Sequence, residues 1–277
     1  MSEIVVDKKS ENQNVILAKA ELDTQISTAK AYPRDVSSFV KNATFLATLD
    51  HDTAESCFYS LPPRKDKKTG KITIIQGPSI RLAEIASSTW GNIHCASRLV
   101  SNDGKTIVVE AVAWDLERNV RVSKQASKSI QYSGGGTYST DMQVVTSAAA
   151  QSIALRNAIL SVVPQALVDR VYEAAKRIAV GDQKSLPEKV QKVLATFNKN
   201  GYETSRILTF LEIKTIQEFT LEHVELLIGL KTALVEGRIN KDQVFNMQDD
   251  SVVGLNPTEK LKHMLDAKKS QEKQKED

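Results

Sequence analysis

The stretch IHCASRLVSNDGKTIVVEAVAWDLERNVRVSKQASKSIQY, residues 93–132, decides the fold. Ile93 to Val100, Lys105 to Leu116 and Val120 to Tyr132 are runs rich in β-branched residues, parted by Asn102-Asp103-Gly104 and Glu117-Arg118-Asn119. Asn, Asp and Gly tolerate the backbone of tight turns, so three antiparallel strands in a meander are predicted. On both sides of it the period changes. Upstream, Leu82, Ala86 and Trp90 recur at helical spacing, with Gly77-Pro78 as the start, Pro at the first helical position, and Gly91-Asn92 as the stop. Earlier still, Phe58 to Leu61 and Ile72 to Ile75 flank the basic turn segment Pro62 to Lys71, which predicts a β-hairpin with a long positive tip. Downstream of the loop Ser133 to Thr137, Thr140-Asp141-Met142-Gln143 has the spacing of a capping box with Gln at N3, opening a long helix to Val163 that Pro164 breaks. Its interior, Ser147 to Ser152, is all small residues except Gln151, a face that can lie close against a sheet. Gln165 to Val180 reads as a further helix. The expected class is α+β: a hairpin, a helix and a meander packed on a long helix, followed by a small helical bundle.

The remaining chain of the 277 residues sorts by texture. Residues 1–34 are polar and mixed in charge and read as a flexible segment that could hold one frayed helix from Val15 to Ile26. Val36, Phe39, Val40, Ala43 and Ala47 mark a helix within 35–57. A core domain is expected over 35–182, closed by Gly181 to Ser185. Residues 183–246 carry three apolar stripes, around Val190 to Phe197, Ile207 to Leu211 and Leu221 to Val235, as in a three-helix bundle. Residues 247–277 read as a charged flexible tail.

Composition narrows the function classes. At 41% hydrophobic and 26% charged, the chain can bury a core. Its apolar runs are far shorter than the ~20 residues of a membrane span. Met1 to Asp7 lacks the basic-then-apolar layout of a signal peptide, so a cytoplasmic protein without a membrane partner is expected. Cys57 and Cys95 are far apart and lack metal-ligand spacing, and the four histidines are scattered. No phosphate-binding loop, dinucleotide fingerprint or nucleophile elbow occurs, so no cofactor, no catalytic residue and no metal site is expected. Asp103, Glu110, Asp115 and Glu117 lie on adjacent strands and leave one rival, a Mg²⁺-dependent nuclease.

Charge supplies the positive signal. Residues 60–182 hold 16 basic and 10 acidic residues, whereas 1–59 hold 6 and 9, and 183–277 hold 15 of each. The surplus therefore sits in the middle of the chain, as an acidic partner requires. Arg64, Lys65, Lys67, Lys68 and Lys71 cluster at the hairpin tip, and Arg118, Arg121, Lys124 and Lys128 on the third meander strand. Lys124 and Lys128 share strand parity with Val122, Ala126 and Ile130, as a groove wall or as long stems reaching out from the sheet edge. Arg156 interrupts the stripe Val145, Ala149, Ile153, Leu160, Val163 of the long helix, where a cation needs a carboxylate or an incoming phosphate. Tyr132 and Tyr138 flank the glycine loop, where they can stack on bases or simply pack.

This order of parts resembles the core of the single-strand annealing proteins, the superfamily of phage proteins such as Erf, RecT and Red-beta and of the eukaryotic annealing mediator of homologous recombination. Two stretches carry the resemblance, Ile74 to Glu84 continuing through Trp90-Gly91-Asn92, and the Ala-rich helix from Ala148 to Leu160. It covers roughly residues 58–165. The basic residues of that family's helix face a DNA groove, and Arg156 matches the basic position, although Leu155 stands where a second cation is common. At the start of the preceding helix Ser79 stands where an Arg is expected, and Arg81 follows two places on.

The resemblance implies a protein without covalent chemistry, which binds single-stranded DNA and anneals complementary strands without ATP, as part of phage or mobile-element recombination in a bacterial host. Lys65, Lys67, Lys68, Arg81, Arg121, Lys124, Lys128, Tyr132 and Arg156 are the expected nucleic-acid-binding residues. A ring or filament of copies is expected, because one domain of this size spans few nucleotides. The neutral C-terminal module, with Phe210, Leu211, Ile213 and Ile216 expected to be incompletely covered, is a docking site for a companion exonuclease or the host single-strand-binding protein, or else a cap on the core. An adaptor acting through these helices without DNA affinity is the second rival.

Overall fold

The structure, a computed structural model, describes residues 8–65, 69, 71–132, 135–245 and 248–249. In chain order the elements are α1 (Lys8–Ala31), α2 (Val36–Ala47), α3 (His51–Ser56), β1 (Phe58–Ser60), β2 (Arg64–Lys65), β3 (Ile72–Thr73), β4 (Gln76–Pro78), α4 (Ile80–Trp90), β5 (Ile93–Asn102), β6 (Thr106–Asp115), β7 (Val120–Ser129), α5 (Thr140–Val162), α6 (Gln165–Val180), α7 (Leu186–Lys199), α8 (Thr204–Phe210), α9 (Leu221–Val235) and β8 (Gln248–Asp249). The class is α+β: a three-stranded antiparallel sheet packs on α5, and helices follow. No helix among the described residues is long and apolar enough to cross a membrane.

The meander forms in the order β5-β6-β7, with Trp114 opposite both His94 and Arg121, and Ala111 opposite both Ser97 and Lys124. Along β6 the burial alternates strictly, so Ile107, Val109, Ala111 and Ala113 fill the face toward α5. Ala150, Ala154 and Ala158 of α5 share that core. Alanine against alanine lets helix and sheet approach closely, and Trp90, Leu82 and Phe39 fill the space at the flank.

The details of the hairpin and the caps differ from expectation. β1 pairs with β4 in the register Phe58↔Pro78, and β2 with β3 in Arg64↔Thr73, so Ile74 and Ile75 fall between two short ladders. Pro78 ends β4 rather than starting a helix. The cap of α4 is Ser79, whose hydroxyl accepts from Leu82 N, and Gly91 and Asn92 end the helix with positive φ. The cap of α5 is Ser139 rather than Thr140, and Gln143 donates back to the Tyr138 carbonyl.

A second core joins the α3–β1 region to the helices beyond α6. Phe58 and Tyr59 of β1, Ala54 of α3 and Ala179 and Val180 of α6 share it with α7, α8, α9 and the segment to Phe245. α9 is buried on nearly all sides, and its Gly229 lies against Ser60 so closely that an added Cβ would stand 2.6 Å from Ser60 N. Polar bonds follow the same seam. The carboxylate of Glu55, 2% exposed, receives Lys192 at 3.1 Å and Lys231, and Lys189 Nζ meets the Ala179 carbonyl and His51 Nδ1, each at 2.9 Å. The boundary at Gly181 to Ser185 is thus a turn in the chain and not a gap in the packing. Phe210 and Leu211, expected to be incompletely covered, are buried in this core, while Ile216 stays exposed.

The segment 1–34 contains α1, which reaches well past Val15 to Ile26 at both ends. It ends at Arg34, whose guanidinium is buried against Asp115 at 2.5 and 2.6 Å and Glu117 at 2.9 Å and lies 4.6 Å from the Trp90 ring centre. Of the tail beyond residue 247, Gln248 and Asp249 pair with Arg64 and Lys65 in parallel, and the rest lies outside the described residues.

Candidate nucleic-acid interface

β7 sorts its cations by strand parity. Lys124 and Lys128 stand opposite Ala111 and Ile107, on the face toward α5, whereas Arg121 stands opposite Trp114 on the other face. There Arg121 lines a cavity of about 290 Å³ with Leu22, His94, Arg98, Glu110 and Trp114. One strand of nucleic acid in one groove cannot touch both sets. Lys124 is exposed. Lys128 is half-buried, its ammonium donates to the Gly237 carbonyl, and burial and then the charge of Arg238 hold its pKa below the usual lysine range.

Arg156 does not interrupt the buried stripe of α5. The residues on the sheet are Ala150, Ala154 and Ala158, and Arg156 projects from the opposite face together with Ala149 and Ser152. Half-buried, it donates to Asn157 Oδ1 at 3.1 and 2.5 Å and approaches the Pro78 carbonyl at 3.5 Å. Its guanidinium lies 5.0 Å from the centre of the Tyr59 ring. A second guanidinium, that of Arg238, lies 3.9 Å from the same centre. Arg238 follows Gly237, whose positive φ of 64° ends α9, and its backbone N–H closes that helix end on the Ala233 carbonyl. Its side chain is 7% exposed and donates through Nε to Glu236 at 2.5 Å. The other Glu236 oxygen accepts from Ile80 N at 2.9 Å. Burial, and next to it the charge of Arg156, push the Arg238 pKa down.

The fold therefore brings Lys128 and Arg156 to one place through Tyr59 and Arg238, neither of which the sequence reading singled out. A helix-ending glycine followed by a cation is visible in the sequence, but its meeting with residues more than a hundred positions earlier is not. Arg81 is close to this region: it lines a cavity of about 340 Å³ with Val145, Ala149, Ser152 and Gly237, and pairs with Glu84 at 2.6 Å on the surface. Tyr132 is exposed and meets Tyr138 edge-on, ring centres 4.7 Å apart. Lys67 and Lys68 lie outside the described residues, as does the side chain of Lys65.

The acidic residues of the meander each have protein partners. Asp115 and Glu117 hold Arg34, Glu110 takes Arg98 and Ser123, and Asp103 accepts the Lys105 and Thr106 N–H groups of its turn. Among the described residues no group of three or more His, Cys, Asp or Glu side chains is placed to hold a metal ion. Comparisons with protein-family models, with curated proteins and with solved structures find no match for this chain.

Proposed function

We propose that this protein binds single-stranded DNA and anneals complementary strands without ATP, as an oligomer acting in recombination in the cytoplasm of a bacterial host. The observation that carries the reading is the convergence of Arg156 and Arg238 on the Tyr59 ring, with Lys128 on the Gly237 carbonyl beside Arg238 and Glu236 as the carboxylate bonded to Arg238. The order hairpin, helix, meander and Ala-rich helix supports it through the resemblance to the annealing proteins. Backbone phosphates neutralised along the Lys124 side of β7 lose their mutual repulsion, and the bases stay free to sample a partner strand. Base pairing supplies the specificity, and the protein supplies charge and alignment. A partner of the recombination pathway, an exonuclease or a single-strand-binding protein, belongs to the same reading.

The test is annealing of two complementary oligonucleotides with and without protein, together with the salt dependence of single-strand binding. Each neutralised phosphate contributes a slope of about −0.7 in log K against log salt. Replacing Lys124 and Lys128 by Ala is expected to make the slope shallower by roughly one to two. Arg156→Ala is expected to weaken binding by ~1–3 kcal/mol with an unchanged circular dichroism spectrum. Arg121→Ala, on the far face, is expected to leave the affinity near that of the wild type. Absence of both binding and annealing refutes the proposal.

A further inference from the structure

We propose that Arg238 and Arg156, which share the ring of Tyr59, and Lys128, which bonds the Gly237 carbonyl next to Arg238, form a seat for one phosphate group, in which the turn after α9 supplies the innermost donor. The inference rests on the reading of Lys128 and Arg156 as phosphate contacts and adds Arg238, from outside the sheet-and-helix unit, to that site.

Three cations meet here, and one of them, Arg238, is bonded to the carboxylate of Glu236. Its two oxygens are already used, one by Arg238 Nε and the other by the backbone N–H of Ile80. Arg238 Nη2 is fully buried and meets no acceptor among the described residues. A guanidinium is a fork of donors that matches an oxyanion, and an unfilled buried donor on a charged group is costly. Positive charge is also crowded here: Arg156 pushes the Arg238 pKa down, and Arg238 in turn pushes that of Lys128 down. One oxyanion satisfies the open donor and relieves the repulsion at once. Arg156 and Lys128 are only half-buried, so they mark the side from which the anion enters. Lys128 already holds a stand-in for such an oxygen, the Gly237 carbonyl. The phosphate is a backbone phosphate of nucleic acid or a free one; the chemistry at the seat is the same.

The experiment follows the melting temperature of the full chain as inorganic phosphate replaces chloride at constant ionic strength, and in parallel its affinity for a short single-stranded oligonucleotide. The wild type is expected to melt higher in phosphate. Arg238→Gln is expected to lose that rise and to bind the oligonucleotide roughly tenfold or more weakly, the range for a lost charge-assisted bond. If phosphate stabilises the chain and Arg238→Gln loses the effect, but no oligonucleotide binds either protein, the seat stands for free phosphate and the annealing function falls. If the oligonucleotide binds both proteins equally and phosphate shifts neither or both alike, the seat is refuted and the annealing function stands. Should Arg238→Gln fail to fold, Arg238→Lys keeps the charge without the fork, and an unchanged phosphate response in that variant refutes the seat.

Discussion

Arg34 shows how much one side chain at the end of a polar segment can fix. Its guanidinium takes both oxygens of Asp115 and one of Glu117, beside the Trp90 ring, and the Arg34 and Asp115 side chains are 5% and 2% exposed. Asp115→Asn removes the buried charge facing Arg34 and leaves Glu117 as its remaining carboxylate, and is expected to cost about 1–3 kcal/mol in urea unfolding at neutral pH. Burial pushes the Asp115 carboxyl upward, and the bonds from Arg34 and Arg118 N–H outweigh it, leaving its pKa below the usual range. The stabilisation is therefore complete above the ordinary carboxylate pKa and fades as the pH falls through the lower folded value, and the variant is expected to show a shallower acid limb below about pH 4. Cys57 gives a second residue-scale expectation. Fully buried, its thiol is pushed up to about 12 by desolvation, against the pull of Arg81. At about pH 8 a maleimide is expected to label Cys57 only as the fold opens, while the half-buried Cys95 reacts first.

At the scale of elements, legibility followed the range of the forces involved. The three meander strands and their turns were readable because alternation and turn chemistry are local, and the observed β5, β6 and β7 differ from the reading only at their ends. The start of α4 moved two residues, from Pro78 to Ile80 behind the Ser79 cap, and the cap of α5 moved one, from Thr140 to Ser139, because only the backbone geometry assigns these roles. The face of α5 was misread for a related reason. Nearly every side chain from Ser147 to Ser152 is small, so the sequence held two acceptable stripes, and the sheet selects Ala150, Ala154 and Ala158. Arg156 was legible as an oddity and its partners were not, since Tyr59 and Arg238 reach it across the fold. The contact of α9 with β1 had no sequence signal beyond a glycine in an apolar helix. Gly229→Ala places a methyl group into Ser60, whose backbone cannot yield while β1 pairs with β4. Such overpacking is expected to lower stability by about 1–3 kcal/mol, read as a fall in the melting temperature, without changing the helical content.

For the whole molecule, the seam between residues 35–182 and the C-terminal helices is a shared interior. Truncation after Asp182 removes the cover of Phe58, Tyr59 and Val180 and strips Glu55 of its bonds to Lys192 and Lys231. The truncated chain is expected to be insoluble or to melt far below the full protein, measured by sedimentation and calorimetry; a soluble and cooperatively melting fragment would falsify this account of the seam. The same feature sets a timetable for the chain as it leaves the ribosome. The first core draws on Phe39 to Ala175 and can close once that stretch has emerged. Glu55 and Phe58 must wait for α9, and the bond from the Thr232 hydroxyl to the Glu55 carbonyl spans 177 positions. At synthesis rates of about 5–20 residues per second, the stretch from Ala175 to Thr232 takes roughly three to eleven seconds to emerge. For that interval a half-finished molecule carries an apolar wound on its surface, wide enough to invite a chaperone or a neighbouring nascent chain.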